Sequence, residues 1–96
     1  MKIKRNIIEK YMELCPISTA KCESFREIED KIIRAVNTGN LHKIEGNDYR
    51  YIMYFDLCFV VKKDKIIDIF KDKDNFWYVK EKVKWKFDKK YQKIKV

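Results

Sequence analysis

Residues 49–70 read YRYIMYFDLCFVVKKDKIIDIF, three apolar runs separated by two short polar breaks. The runs are rich in aromatic and β-branched residues, which is typical of β-strands. They predict strands from Tyr49 to Tyr54, Cys58 to Lys62 and Ile66 to Phe70, with turns at Asp56-Leu57 and Lys63-Asp64. Because connections this short join antiparallel neighbours, the stretch predicts an antiparallel meander. The adjacent valines 60 and 61 indicate a middle strand covered on both faces.

Two helices are predicted ahead of this stretch. The first has an apolar stripe at helical spacing and ends before Pro16, which cannot continue a helix. Its stripe consists of Ile7, Ile8, Tyr11, Met12 and Cys15. The second begins at a capping box formed by Ser24 and Glu27, and Gly39 after its end predicts a left-handed C-cap.

The segment from Lys80 to Phe87 alternates lysine with other residues. Glu81, Val83, Trp85 and Phe87 occupy the intervening positions. This period of two favours a strand over a helix, since a helix would divide the four lysines between two separate rows. Trp85 and Phe87 share the face opposite the lysines, and we interpret both as core residues.

These elements predict an α+β fold, with two N-terminal helices packed on an antiparallel meander sheet of four to five strands. The 96 residues suffice for a single domain, with a helical part at 1–39, the sheet at 40–88 and a basic tail at 89–96. The longest apolar run, Leu57 to Val61, is far shorter than a membrane span. Charges interrupt any signal-peptide core at the N-terminus, so we expect a cytoplasmic protein with no membrane partner.

Positive charge is concentrated late in the chain. Residues 1–61 carry ten Lys or Arg and nine Asp or Glu, whereas residues 62–96 carry thirteen Lys and six Asp or Glu. The second part therefore supplies +7 of the net charge of +8. This asymmetry favours contact with a nucleic acid or a nucleoprotein complex. Codon bias in an AT-rich genome, which favours Lys, Ile and Asn, is the alternative source of the lysines.

The alternating lysines are the main candidate binding site. On a strand they would lie about 6.6 Å apart along one face, a spacing suited to successive backbone phosphates. An edge strand protected from aggregation by lysine is the alternative interpretation. Trp77 and Tyr78 would point to opposite faces of a strand, so one of them is expected to be exposed and able to stack a base. The predicted nucleic-acid-binding residues are Lys80, Lys82, Lys84, Lys86, Lys89, Lys90, Trp77 and Tyr78.

Three functions are consistent with this pattern. The first is a small non-enzymatic protein that binds nucleic acid or a nucleic-acid-containing complex, as a phage or mobile-element inhibitor of a host nucleoprotein would. The second is a protein-interaction module whose lysines meet an acidic partner and whose edge strand pairs with a partner strand. The third is a ribonuclease toxin, with His42, Arg50 and Tyr54 as catalytic candidates. The sequence leaves the oligomeric state open.

The order of two helices and a meander over residues 5–70 resembles that of small toxin ribonucleases of the RelE and barnase-like kind. The resemblance implies metal-independent RNA cleavage. Their catalytic residues have no residue-by-residue match here, and the helical histidine of some relatives has no counterpart in residues 24–38.

No cofactor or metal is predicted. The odd set of cysteines, at 15, 22 and 58, lacks paired short spacing. The aspartates at 64, 68, 72 and 74 alternate with lysines, which indicates solvated turn charges.

Overall fold

The computed structural model describes the backbone of residues 3–95 and the side chains of residues 3–90. It contains three helices, a four-stranded sheet and a C-terminal helix, in that order along the chain. Their bounds are α1 Arg5–Leu14, α2 Pro16–Ala20, α3 Phe25–Thr38, β1 Asn40–Glu45, β2 Tyr49–Tyr54, β3 Leu57–Lys62, β4 Lys65–Lys71 and α4 Glu81–Lys95.

The sheet is an antiparallel meander in the order β1-β2-β3-β4. The prediction of an α+β fold with N-terminal helices and an antiparallel sheet is therefore confirmed. The middle strand β3 is buried from Leu57 to Val61, so it is covered on both faces, as its paired valines indicate. One face of β3 belongs to the main core, with Phe59 and Val61 beside Ile8 and Ile32 from the helices.

The N-terminal helices begin and end close to the predicted residues. Pro16 ends α1 and also starts the short helix α2, because its fixed φ suits the first position of a helix. The predicted cap at the start of α3 is present, with Glu27 reaching back to the N–H of the residue before Ser24. Glu27 N–H donates to Ser24 Oγ over 3.3 Å, and Glu23 N–H donates to Glu27 Oε2 over 2.9 Å.

The predicted left-handed conformation of Gly39 is wrong. Its φ is −69° and its ψ is 170°, an extended conformation open to any residue. Glycine is needed here for close packing instead. A Cβ atom at this position would lie 2.8 Å from Met53 O and 2.9 Å from Ala35 O, so the chain can turn directly from α3 into β1 only without a side chain.

The predicted strand at residues 80–87 is also wrong. The sheet ends at Lys71, and Glu81–Lys95 form helix α4, which includes most of the expected basic tail. Lysine and glutamate are good helix formers, so the intrinsic preference of the segment opposed its alternating pattern. Packing then selected the helix, because Lys84, Phe87 and Asp88, at i, i+3 and i+4, form its less exposed side.

Candidate nucleic-acid interface

An ion pair between α3 and α4 orients the C-terminal helix. Arg34 Nε donates to Asp88 Oδ1 over 2.8 Å, and Arg34 Nη2 donates to Asp88 Oδ2 over 2.9 Å. Such a two-point contact restrains both the position and the rotation of a helix. It turns the Asp88 side of α4 toward α3 and leaves the opposite side to solvent.

Lys84 does not reach that exposed side. Its side chain is only 13% exposed, and its Nζ lies 4.8 Å from the Phe55 ring centroid and 5.7 Å from that of Tyr54. It also donates to Glu81 Oε1 over 3.4 Å. Lys84 therefore anchors α4 against an aromatic surface.

The four alternating lysines consequently do not share one row. Helical rotation places Lys84 on one side of α4 and Lys82 and Lys86 on another. Lys80 is exposed just before α4, and its carbonyl accepts hydrogen bonds from the N–H groups of Val83 and Lys84. The row expected from a strand is absent because the segment is helical.

A different set of lysines forms the exposed face of α4. Lys82, Lys86, Lys89 and Lys90 are all exposed and lie at i, i+4, i+7 and i+8. With a rise of 1.5 Å per residue, they span about 12 Å along the helix. We call these four residues the α4 lysine face.

The α4 lysine face carries charge that nearby carboxylates do not neutralise. The two acidic residues in the described side chains of α4 are engaged elsewhere, Glu81 with Lys84 and Asp88 with Arg34. Among the residues whose side chains are described, no carboxylate forms an ion pair with any lysine of this face. The result is a concentrated positive potential on a convex surface.

Trp85 lies beside this face and is 57% exposed, so its assignment to the core is not supported. The Nζ of Lys89 lies 4.2 Å from the Trp85 ring centroid, a cation–π contact. A helical projection of the sequence would have found this neighbour, because residues 85 and 89 are one turn apart. The interpretation of this segment as a strand concealed the contact, because residues four apart on a strand are about 13 Å apart. An exposed indole beside lysines can stack on a base.

Trp77 and Tyr78 differ in exposure, as their adjacent positions predict. Tyr78 is 68% exposed, whereas Trp77 is half-buried against His42, with ring centroids 5.3 Å apart. The backbone of Trp77 exchanges two 2.9 Å hydrogen bonds with Phe55. Trp77 therefore holds the loop before α4 against the end of the sheet, while Tyr78 presents its ring to solvent.

The catalytic candidates each contact a different neighbour in the fold. His42 packs on Trp77, and Arg50 donates to the carbonyl of Lys63 over 3.1 Å. Tyr54 lies under Lys84, four residues from Arg50 along β2, or about 13 Å away. A base and a phosphate-stabilising cation must both reach one scissile bond, and Arg50 and Tyr54 are too far apart along β2 to do so together.

The candidate metal ligands are also dispersed. Within residues 3–90, no three His, Cys, Asp or Glu side chains form a group that could hold a metal ion. Asp68 accepts a hydrogen bond from Lys10 Nζ, and Asp72 accepts one from Asn75 in a turn. Burial raises the pKa of the Cys58 thiol to about 11, so this thiol is protonated at neutral pH.

Comparison of the chain with protein-family models, with curated proteins and with solved structures finds no match. No helix in the described part of the chain has the length and apolar character needed to cross a membrane.

Proposed function

We propose that this protein is a non-enzymatic binder of nucleic acid, or of a complex that contains nucleic acid, and that it contacts phosphates through the α4 lysine face. The observation that carries the proposal is the set of four exposed lysines without carboxylate partners among the described side chains. Lysine is a compact point charge, so these contacts follow the backbone with little sequence preference.

The shape of the interface supports this assignment. A helix about 10–12 Å wide fits the major groove of duplex DNA, and its lysines then reach phosphates on the groove walls. Trp85 adds a stacking surface for an unpaired base. Titration against single-stranded and duplex DNA and RNA distinguishes these uses of the same helix.

The decisive experiment compares two variants of equal charge. The first replaces Lys82, Lys86, Lys89 and Lys90 with Gln, which lowers the net charge from +8 to +4. The control makes the same change at four exposed lysines elsewhere in the chain, Lys4, Lys63, Lys65 and Lys73. Binding to fluorescent oligonucleotides is followed by anisotropy at low salt, and circular dichroism verifies the fold of each variant.

We expect the α4 variant to lose at least about 100-fold in affinity, because four released counterions each contribute strongly at low salt. The control should lose only several-fold through its lower net charge. Equal losses in the two variants would assign binding to overall charge and contradict a defined interface. No binding by the unmodified protein at low salt would remove the proposal altogether.

A protein-interaction role is the second candidate, and it rests on strand β1. This strand lies at the edge of the sheet and exposes Leu41 by 53% and Ile44 by 59%. An uncovered edge with apolar side chains can pair with a strand of a partner protein. If Leu41→Lys abolishes partner binding in pull-downs while oligonucleotide binding persists, the edge is the interface. If the α4 variant loses oligonucleotide binding and keeps partner binding, the α4 lysine face is the nucleic-acid interface.

A further inference from the structure

A cleft of about 440 Å³ lies away from the α4 lysine face, at the end of the sheet near the α1–α2 junction. Three lysines from separate parts of the chain line it, Lys21 after α2, Lys31 on α3 and Lys71 at the end of β4. Asp56 in the β2–β3 turn supplies one carboxylate. Clefts of several hundred Å³ are the size that holds small ligands.

The charges in this cleft favour an anion. None of the three lysines forms an ion pair with a carboxylate of the described residues, and Asp56 also lacks a cationic partner within that range. The cleft thus carries three positive charges and one negative charge. Cys15, between α1 and α2, and Ser18, in α2, complete its polar lining.

We propose that this cleft binds a phosphomonoester, with Lys21, Lys31 and Lys71 holding the phosphate and Asp56 accepting a hydrogen bond from a hydroxyl or amino group of the same ligand. A phosphomonoester carries about −1.5 to −2 charge and three terminal oxygens, which matches three ammonium groups better than a backbone diester does. The proposal is independent of the α4 lysine face.

Cys15 provides a reporter within the cleft. Its thiol is half-buried, and this burial is the main cause of a raised pKa. The nearby Lys71 ammonium lowers the pKa of the thiol, and the Asp56 carboxylate raises it. A ligand held between these groups should shield the thiol from alkylation. Cys22 is also half-buried but does not line the cleft, so it serves as an internal reference. Trypsin separates the two cysteines, because Lys21 lies between them.

The experiment measures alkylation of Cys15 and Cys22 by iodoacetamide at about pH 8.5, near the ordinary thiol pKa. Peptide mass spectrometry follows both residues with AMP, adenosine or inorganic phosphate at about 1–10 mM, which covers a millimolar Kd. Two further arms use an oligonucleotide with a 5′-phosphate and the same oligonucleotide with a 5′-hydroxyl. They distinguish a nucleic-acid end from a free phosphomonoester.

We expect AMP to slow alkylation of Cys15 at least about threefold. This is the slowing expected when most of the protein is occupied, as it is when the AMP concentration exceeds a millimolar Kd severalfold. Cys22 should be unaffected, and adenosine should protect neither residue. Stronger protection by the 5′-phosphorylated oligonucleotide than by AMP would identify a nucleic-acid end as the ligand. Equal or weaker protection would identify a free phosphomonoester.

Two matched variants test the lysines. Lys31→Gln with Lys71→Gln should abolish protection, and Lys63→Gln with Lys73→Gln, which removes the same charge outside the cleft, should retain it. Protection by adenosine, protection that survives the Lys31/Lys71 variant, or no protection by any phosphomonoester would overturn the proposal. The α4 variant should keep full protection by AMP even where it no longer binds oligonucleotides.

Discussion

Gly39 joins α3 to β1 in an extended conformation, and the space around its Cα is already filled. A Cβ atom would lie 2.8 Å from both Ile52 Cγ2 and Met53 O. Because backbone atoms cannot move aside as a flexible side chain can, we expect Gly39→Ala to lower the free energy of unfolding by about 2–3 kcal/mol. Urea denaturation followed by circular dichroism measures this change.

Gly46 is the matched control for that substitution. Its φ is +55°, but an added Cβ would meet only Tyr49 Cδ2 at 3.7 Å. Gly46→Ala should therefore cost about 1 kcal/mol from backbone strain alone. A larger loss at Gly46 than at Gly39 would contradict the steric account of the α3–β1 junction.

Asp68 links β4 to α1 through a 2.6 Å ion pair with Lys10. The hydrogen bond from Lys10 is the largest cause of a lowered pKa at Asp68, and the N–H of Ile69 adds to it. A lowered pKa in the folded state means that the stabilisation is present above the unfolded pKa of about 3.9 and is lost as pH falls through the folded value.

Asp68→Asn should therefore destabilise the protein at pH 7 and have little effect near pH 2. Both partners are about half exposed, so solvent screening limits the expected loss at pH 7 to about 0.5–1 kcal/mol. Asp74→Asn, at an exposed position, is the control. Unfolding free energies measured across this pH range check the prediction, and a loss that is independent of pH would contradict it.

At the scale of elements, the position of α4 decides which lysines face solvent. The bidentate pair between Arg34 and Asp88 connects this helix to α3. Both side chains are more than one third exposed, so Asp88→Asn should lower stability by only about 1 kcal/mol. The same change should weaken the packing of α4 on α3, and it should raise the hydrogen-exchange rates of the α4 backbone amides more than those of β3.

A double-mutant cycle with Arg34→Gln tests whether the two residues act together. If they do, the second substitution should add little to the first, because the contact is already broken. Additive losses would show that Arg34 and Asp88 stabilise the protein separately. Lys84→Gln provides a further comparison, since it removes the contact of α4 with Phe55 without altering the ion pair.

At the scale of the whole molecule, the excess charge lies in the second part of the chain, and four of its lysines form one convex face. If three or four phosphates contact this face, log K for duplex DNA should fall against log salt with a slope of about −2.7 to −3.6. Lys86→Gln should reduce that slope by about 0.9, and Lys63→Gln should leave it unchanged. Anisotropy titrations over several salt concentrations provide the slope, and a flat salt response would exclude phosphate binding.

The sequence by itself determined the elements whose local signals agree with their packing. Pro16, the Ser24–Glu27 capping box and the apolar runs of residues 49–70 define two helices and a meander through local sterics and side-chain periodicity. The burial of β3 on both faces likewise followed from its consecutive apolar residues. The uneven charge along the chain is likewise a property of the sequence alone.

Only the tertiary structure decided the secondary structure of residues 81–95 and the role of each lysine from Lys82 to Lys90. Alternating lysines satisfy a strand pattern, but lysine stems also cover apolar surface, so pattern alone does not distinguish a solvated face from a packed one. The aromatic surface of Tyr54 and Phe55 took up Lys84, and Arg34 paired with Asp88. These two contacts between residues far apart in sequence fixed the rotation of α4, and that rotation left Trp85 and the α4 lysine face exposed.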